Sequence, residues 1–400
     1  MRHLMLVVLL AGLFGCEIGS SDDCCDIRLV TEVPPDSGAV FMTGNLPQLG
    51  PWRPDGQLMS GDGEIRTTII RVARGQTFEY KFTLGSWDRE ALNADGHVPA
   101  NFSVLADAHK EVTHRITRFK PDPLTYFDDW RAAGIKGRME FWPNIESVFL
   151  DPLRHVEIWL PPGYDDSDSK RYPVLYAHDG QNLFDPRRAS TGVDWGVDET
   201  IVRLAREGQI DPPIVVGIWS SADRGMEYSP WHDAPEYARF LIEELKPRVD
   251  RQFRTLTDAA STATMGASLG GLISYYLVTH HPEVFGACGC MSTHFPISEH
   301  VYAQFFANAD KKNSDRMPYI LRDIAAGATV PDGARYWFDY GGHGLDAQYG
   351  ETHQAVREWL LAQGKTEDVD FVIREYPQAD HNEASWRARL ADPLTFLFGR

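Results

Sequence analysis

Short apolar runs alternate with helical patterns across the last roughly 250 residues of the chain, and this alternation limits the fold more than any other feature. The run at 173–177 is almost continuously apolar, as in the buried strands of a parallel sheet. We therefore predict a mostly parallel sheet that helices cover on both faces. Its strands are expected at 155–160, 173–177, 213–218, 260–265, 335–340 and 370–376, and its helices at 198–207, 234–253, 269–280, 346–363 and 384–398.

The preceding residues have a different pattern. Strand-forming residues at 40–44, 67–72 and 78–83 are separated by turn-rich segments, so residues 27–118 predict a small all-β sandwich. Residues 119–143 carry proline and acidic residues without regular periodicity and are predicted to form a linker with at most short helices. The α/β domain is expected to cover residues 144–400.

Residues 1–26 have the features of a targeting segment. A basic start precedes an apolar stretch at 4–14 that is too short to span a bilayer. The run Leu13-Phe-Gly-Cys16 resembles a bacterial lipobox, in which the cysteine is lipidated, and a polar tether follows it. We expect a lipoprotein held at a membrane of the cell envelope through Cys16, periplasmic or at the surface. Ordinary signal-peptide cleavage and secretion is the alternative.

Charge and cysteine usage exclude two classes of function. The 57 acidic residues outnumber the 39 basic ones, and the resulting net charge of −18 repels phosphate backbones, which argues against a nucleic-acid partner. The sequence has no CxxC pair and no HExxH motif, so a zinc site has no support. Cys288 and Cys290 alternate within an apolar run and are predicted to be buried core residues.

The motif Gly266-Ala-Ser-Leu-Gly270 carries the clearest chemical signal. It stands between a predicted strand and a predicted helix, which is the context of a nucleophile elbow. Glycines allow the sharp turn that exposes the serine, and the helix N-terminus behind it favours developing negative charge. Ser268 is therefore the candidate nucleophile.

A serine nucleophile needs a base and an acid that orients the base, in the chain order serine, acid, histidine for this arrangement. His381 lies just after the last predicted strand and is the candidate base. Asp346 lies in the loop after the preceding strand and is the candidate acid, with Asp339, inside that strand, as its rival.

An oxyanion hole needs two fixed N–H donors. The backbone of Leu269 is expected to supply one, because this residue follows the nucleophile. The loop His178-Asp-Gly-Gln-Asn182, after the strand at 173–177, is expected to supply the other through Gln181. The alternative for this loop is a capped turn without a catalytic part.

Four separated motifs resemble the esterase-D-like esterase family. They are His178-Asp-Gly-Gln-Asn182, Arg224-Gly-Met-Glu-Tyr-Ser-Pro230, Gly266-Ala-Ser-Leu-Gly-Gly271 and Asp380-His-Asn-Glu-Ala-Ser-Trp386. The resemblance covers about residues 145–400 and implies an α/β-hydrolase fold, no cofactor and no metal. It also implies a triad of Ser268, Asp346 and His381. In that family a segment like Arg224 to Glu227 lies near the pocket, although a solvated ion pair is an equally good interpretation of these two residues.

The β-rich segment resembles starch-binding sandwich modules in its runs Gly44-Asn-Leu-Pro-Gln-Leu-Gly-Pro-Trp52 and Phe78-Glu-Tyr-Lys-Phe82, followed by Gly85-Ser-Trp87. The resemblance implies that Trp52 and Trp87 stack on sugar rings. The alternative is a structural module in which both rings pack in the core or against the next domain.

Together these observations predict a serine esterase that hydrolyses a small-molecule or polysaccharide ester through an acyl-enzyme. Three alternatives stay open: an acyltransferase of the same fold, a siderophore trilactone esterase, and a non-catalytic carbohydrate-binding lipoprotein.

Overall fold

The computed structural model describes residues 24–96, 98–122, 130, 134–301 and 315–400. This part of the chain divides into two compact units, with the boundary after Phe119. Cys16 and most of the predicted targeting segment lie outside the described residues. Within the described ranges, no helix has the length and apolar character needed to cross a bilayer.

Between residues 24 and 119, leaving out residue 97, the first unit has only β-strands as regular elements longer than a single turn. Strands β1, β4 and β8 form one sheet in the order β4-β1-β8, strands β2, β3, β5 and β7 form a second in the order β3-β2-β5-β7, and β6 pairs with β9. The bounds are β1 Cys24–Glu32, β2 Phe41–Gly44, β3 Gln57–Leu58, β4 Ile65–Ala73, β5 Thr77–Thr83, β6 Ala91–Leu92, β7 Phe102–Leu105, β8 Lys110–Arg115 and β9 Arg118–Phe119.

The two larger sheets of this unit share one apolar core. Ile27 and Ile70 from the first sheet are buried in the same cluster as Met42 and Phe82 from the second. The predicted C-terminal boundary of the tether, at residue 26, is wrong. Residues 24–26 already belong to β1, where they pair with β4. Burial of Cys25 in the shared core explains why the strand begins there.

The second unit is built on an eight-stranded sheet in the order β10-β11-β13-β12-β14-β15-β16-β17. The two pairings at the β10 end are antiparallel and all others are parallel, so the prediction of a mostly parallel sheet is confirmed. The bounds are β10 Arg138–Ile145, β11 Arg154–Leu160, β12 Val174–His178, β13 Ile214–Ile218, β14 Thr262–Ala267, β15 Ala287–Met291, β16 Arg335–Gly341 and β17 Phe371–Tyr376.

The predicted linker, residues 119–143, extends too far along the chain. Its last residues belong to the edge strand β10, which spans Arg138–Ile145. Pro143 argued against a strand, since proline cannot donate a ladder hydrogen bond. An edge strand tolerates it, and here the register shifts between Trp142 and Ile145, with Asn144 at a φ of 51°.

Helices flank the sheet of the second unit. In chain order they are α1 Val197–Arg206, α2 Arg224–Glu227, α3 Ala234–Arg239, α4 Lys246–Gln252, α5 Leu269–His280, α6 Tyr319–Ala325, α7 Gly350–Ala362, α8 Glu383–Arg389 and α9 Ala391–Phe398. The single helix predicted at 234–253 is instead interrupted by a π-helical stretch, Phe240–Leu245. Pro247, in the first turn of α4, explains the interruption, because proline lacks the N–H needed to continue the α-helical pattern.

A large core lies between the sheet and helices α1, α8 and α9. Trp159, Leu175 and Met265 from the sheet are buried in one cluster with Ile201 of α1 and Leu394 of α9. Cys288 and Cys290 are fully buried in β15, as predicted. Because the core strands are parallel, their carboxyl ends share one edge of the sheet, where the loops that carry the candidate residues meet.

The turn from β14 to α5 depends on the close approach of two glycines. A Cβ atom at Gly266 would lie 2.5 Å from the carbonyl carbon and oxygen of Gly270, a distance that real Cβ atoms do not tolerate. At Gly271, the next glycine, a Cβ atom would find its nearest neighbours at 3.4 Å, which is an ordinary contact. The motif therefore needs Gly266 for steric reasons that do not apply to Gly271.

We predict that Gly266→Ala lowers the free energy of unfolding of the second unit by about 3 kcal/mol or more, because backbone atoms must move to admit the methyl group. The matched control Gly271→Ala should change it by no more than about 1 kcal/mol, since alanine is favoured inside a helix. Urea unfolding followed by circular dichroism measures both, and equal stability of the two variants would contradict the steric account.

Candidate active site

Ser268 stands at the tip of the turn between β14 and α5 in a strained conformation. Its φ of 60° and ψ of −122° lie in a region that residues with side chains rarely adopt. Hydrogen bonds hold it there: its N–H donates to the carbonyl of Met291, and its carbonyl accepts from the N–H groups of Leu272 and His294. The surrounding backbone thus fixes Ser268 at the N-terminus of a twelve-residue helix.

His381 and Asp346 form a close pair at the same edge of the sheet. Nδ1 of His381 lies 2.5 Å from Oδ1 of Asp346, which the structure buries completely. The residues stand 35 positions apart in the chain, after β17 and β16 respectively. An ionised carboxylate can only accept a hydrogen bond, so Nδ1 of His381 must carry a proton and donate a hydrogen bond to Asp346. This hydrogen bond fixes both the tautomer and the orientation of the imidazole.

The other oxygen of Asp346 is also fully engaged. Oδ2 accepts from the backbone N–H of Gly341 at 2.7 Å and from the hydroxyl of Ser292 at 2.5 Å. Burial alone would raise the pKa of Asp346, but the hydrogen bonds from His381 and Ser292 outweigh it and hold the pKa below its ordinary value. Asp346 therefore stays ionised in the neutral pH range.

Asp339, the rival acid, does not touch His381 in the described contacts. Its carboxylate accepts from the indole N–H of Trp337 at 2.9 Å and from the N–H of Ser292 at 2.9 Å. The guanidinium of Arg389 adds an ion pair at 2.9 Å, with both side chains buried. The structure thus brings Asp346, and not Asp339, to the histidine.

Hydrogen bonds to both chain neighbours of His381 hold the loop that carries it. The N–H of His381 donates to its neighbour Asp380 at 2.8 Å, and the side chain of Asn382 caps α8 by accepting from the N–H of Ser385. Edge-to-face contacts from Trp386, at a centroid distance of 5.2 Å, and Tyr349, at 5.8 Å, enclose the imidazole ring. The imidazole of His381, the candidate base, is therefore held in one orientation by the protein itself.

The two predicted oxyanion donors have different surroundings. Leu269 is the first residue of α5, so its N–H lies at the helix N-terminus beside Ser268. The side chain of Gln181 is engaged elsewhere: its Nε2 donates to Ser220 Oγ at 2.7 Å, and its Oε1 accepts from the Ser220 N–H at 3.1 Å. If Gln181 contributes a donor, it must be the backbone N–H.

The interpretation of Arg224 and Glu227 as one solvated ion pair is wrong. Arg224 instead clamps Asp179, with Nε at 2.6 Å and Nη2 at 2.7 Å from the two carboxylate oxygens. Burial opposes the charge of Arg224, but Asp179 outweighs this and raises the pKa of the guanidinium. Asp179 has a left-handed backbone, with φ 58° and ψ 46°, so the clamp fixes the turn that leads to Gln181.

Glu227 is not available to a substrate, which corrects its placement near the pocket. It is 1% exposed and forms a two-pronged ion pair with Arg154, whose side chain is fully buried, at 2.9 and 3.1 Å. Its role is therefore to neutralise a buried arginine.

Sequence reasoning assigned no role to Ser292 or His294, which follow β15. The N–H of His294 donates to the carbonyl of Ser268, and Nδ1 of its ring lies 2.5 Å from the hydroxyl of Tyr349. Burial, together with the charges of His381 and Arg224, lowers the pKa of His294 to about 4, so the ring is neutral. The signal that could have found both residues is their position at the carboxyl end of the strand beside β14.

In the first unit, Trp52 and Trp87 are both half-buried and neither belongs to its apolar core cluster. The loops that carry them are joined by a hydrogen bond from the hydroxyl of Thr83 to the carbonyl of Pro54. The described residues include no group of three or more His, Cys, Asp or Glu side chains arranged to hold a metal ion.

The sequence model of the family described as "Putative esterase" matches residues 147–397, which is more than half of the chain and contains every residue of the site in the second unit. This chain belongs to that esterase family. The assignment agrees with the expected resemblance, and the matched residues that the structure describes lie within the second unit.

Among curated proteins, this chain is 30% identical over 219 residues to "Endo-1,4-beta-xylanase/feruloyl esterase" of Xylanibacter ruminicola (strain ATCC 19189 / DSM 19721 / CIP 105475 / JCM 8958 / 23). That match covers 50% of this chain and 28% of the relative. The chain spans about half the length of two further relatives, both from Bacillus subtilis (strain 168).

Solved structures share the fold. The enterobactin esterase FES from Shigella flexneri, solved in the presence of enterobactin, has a TM-score of 0.51 and 15% identity, and the match covers 95% of this chain and 94% of that one. A ferulic acid esterase has a TM-score of 0.50 and 18% identity, with 66% of this chain and 98% of the other covered. At these identities the likeness concerns the fold alone.

Proposed function

We propose that this protein is a serine esterase of the α/β-hydrolase fold, with Ser268, His381 and Asp346 as its triad. The observation that carries the proposal is that one edge of one sheet carries both a strained serine at a strand–helix turn and a histidine 2.5 Å from a buried aspartate. Membership of the esterase family supports the reaction class.

In the proposed reaction, His381 accepts the hydroxyl proton of Ser268 as Oγ attacks the ester carbonyl carbon. The carbonyl π electrons move onto oxygen, then return as the C–O bond to the alcohol breaks. The alcohol leaves with the proton from His381, and an acyl group remains on Ser268. Water then attacks the acyl carbonyl carbon while His381 takes one of its protons. The bond from the acyl group to Ser268 Oγ breaks, Oγ receives that proton from His381, and the free acid leaves. Asp346 stabilises the imidazolium at both steps.

The tetrahedral oxyanion needs donors that are fixed before the reaction. We assign this role to the backbone N–H of Leu269 and to the backbone N–H of Gln181. The Arg224–Asp179 clamp supports the second assignment, since it holds the turn before Gln181 in a left-handed conformation. The helix dipole of α5 adds favourable partial charge near Ser268.

For the substrate, we propose an ester attached to a carbohydrate. The support is the curated relative whose name combines a xylanase with a feruloyl esterase, which is 30% identical over 219 residues. A trilactone esterase is the second candidate, which the FES likeness along both units favours, although that likeness concerns the fold alone. An acyltransferase would use the same triad and would transfer the acyl group to an alcohol in place of water.

We propose further that the first unit is a β-sandwich of the starch-binding kind that presents Trp52 and Trp87 to sugar. The half-buried state of both rings supports this role over burial in the core. Aromatic faces suit the apolar C–H faces of sugar rings.

The proposed function predicts the outcome of an ester panel of acetyl, feruloyl, longer acyl and trilactone substrates. The wild type should hydrolyse at least one class to free acid, and Ser268→Ala should lose at least about a thousandfold in turnover because the nucleophile is gone. Ser274→Ala is a matched control, since it also removes a buried serine hydroxyl from this turn and helix. Activity of Ser268→Ala within about tenfold of wild type would overturn the proposal.

The assignment of the acid predicts different results for two buried aspartates. Asp346→Asn should reduce kcat by roughly a thousandfold or more, because the amide favours the wrong tautomer of His381 and cannot stabilise its charge. Asp339→Asn should mainly lower the melting temperature, because it leaves Arg389 without its anionic partner. Turnover should be compared at a temperature where circular dichroism finds both variants folded. A large loss of kcat in Asp339→Asn alone would transfer the role to Asp339.

A further inference from the structure

The hydroxyl of Ser292 has three polar partners in the buried region behind the aspartate–histidine pair. Oγ lies 2.5 Å from Oδ2 of Asp346, 2.8 Å from Nε1 of Trp386 and 2.7 Å from Nη2 of Arg389. Ser292 is fully buried, and so is Asp346, while the other two partners are nearly so.

The chemistry of these partners fixes the direction of every hydrogen bond. An indole N–H and a guanidinium N–H can only donate, so Trp386 and Arg389 occupy the two acceptor sites of the hydroxyl. The one hydroxyl proton is therefore left for Asp346, whose ionised carboxylate can only accept. The hydroxyl cannot rotate to another acceptor without giving up one of these bonds.

We propose that Ser292 is a positioning residue for the proposed reaction, which locks the Asp346 carboxylate in the orientation that presents Oδ1 to His381. Ser292 and the N–H of Gly341 engage Oδ2, so only Oδ1 is left to the imidazole. The inference rests on the proposed function, since it requires Asp346 to act through His381.

The backbone of Ser292 is itself fixed, which makes the hydroxyl a rigid donor. Its φ of 41° lies in the left-handed region, and its N–H donates to Asp339 Oδ1 at 2.9 Å. Asp339 also pairs with Arg389 at 2.9 Å. Its carboxylate therefore holds both the backbone of Ser292 and the guanidinium that donates to the Ser292 hydroxyl. Asp339 thus supports the site through Ser292.

The same arrangement joins the acid to the loop of the base. Trp386 and Arg389 both belong to α8, which begins two residues after His381. Trp386 donates to Ser292 and also packs edge-to-face on the His381 ring, with centroids 5.2 Å apart. Ser292 therefore connects three segments through its contacts: its own loop after β15, the loop of Asp346, and helix α8 next to His381.

The positive charge nearest to Asp346 does not replace the hydrogen bond from the Ser292 hydroxyl. Arg389 is the cation nearest to it in the described contacts, with Nη2 3.9 Å from Oδ2, too far for a hydrogen bond. Among the residues that the structure describes, removal of the Ser292 hydroxyl leaves the N–H of Gly341 as the one hydrogen-bond donor to Oδ2. The carboxylate then keeps two of its three hydrogen bonds, to Gly341 and His381, and is held less firmly about its Cβ–Cγ bond.

The test uses Ser292→Ala and Ser292→Gly in the full chain. The glycine variant matters because a φ of 41° is unstrained for glycine, so it removes the hydroxyl while relieving the backbone. Both should lower kcat by roughly ten- to a hundredfold with KM changed by less than about threefold, because a charge-assisted hydrogen bond is lost and no substrate contact is. Ser274→Ala, which removes another buried hydroxyl, should retain kcat.

A second readout separates positioning from stability. The proton between His381 Nδ1 and Asp346 should give a far-downfield ¹H NMR signal in wild type, and it should shift or broaden in both Ser292 variants. A merely structural serine would lower the melting temperature and leave both kcat and this signal unchanged, which would overturn the inference. If Ser268→Ala is inactive while both Ser292 variants keep full kcat, only this inference fails. If Ser268→Ala stays active, the proposed function fails.

Discussion

Two fully buried carboxylates, Asp346 and Asp339, determine how the carboxyl edge of the sheet is built. An ionised carboxylate loses most of its hydration when buried, and it is tolerated only where hydrogen-bond donors or a cation replace the water. Here a single guanidinium, Arg389, pairs with one of them and stands 3.9 Å from the other. The remaining donors are a histidine, an indole, a hydroxyl and backbone N–H groups.

This requirement for donors explains why distant segments converge. The loop after β15 contributes Ser292, the loop after β16 contributes Asp346, and the segment after β17 contributes His381 together with α8. Three non-glycine residues that follow strands at this edge, Asp179, Ser268 and Ser292, have positive φ values, so strain is concentrated where orientation matters. The Arg224–Asp179 ion pair gives the same kind of rigidity to the loop after β12 that carries Gln181. The site is therefore organised before a substrate binds.

Patterns local in the sequence predicted most of the fold and the central residues. The glycine motif, the strand and helix periods, and the chain order of serine, acid and histidine located Ser268, Asp346 and His381, because each depends on neighbouring residues or on strand ends. Pairings between distant residues could not be predicted. Arg154 and Glu227 are 73 positions apart, and Ser292 and Arg389 are 97 apart, with no local pattern to mark either pair. Strand β10 was missed because Pro143 is a strong local signal against a strand, and only the edge position makes it acceptable.

The central claim is that Ser268 is a nucleophile activated by the His381–Asp346 pair. Labelling with a fluorophosphonate, followed by peptide mass spectrometry, tests it most directly, because this reagent bonds covalently to activated serines whatever the natural ester is. The account predicts one adduct per chain, on the peptide that contains Ser268, and no adduct at that position in His381→Ala. Absence of labelling in the wild type, labelling confined to another serine, or equal labelling in His381→Ala would contradict it.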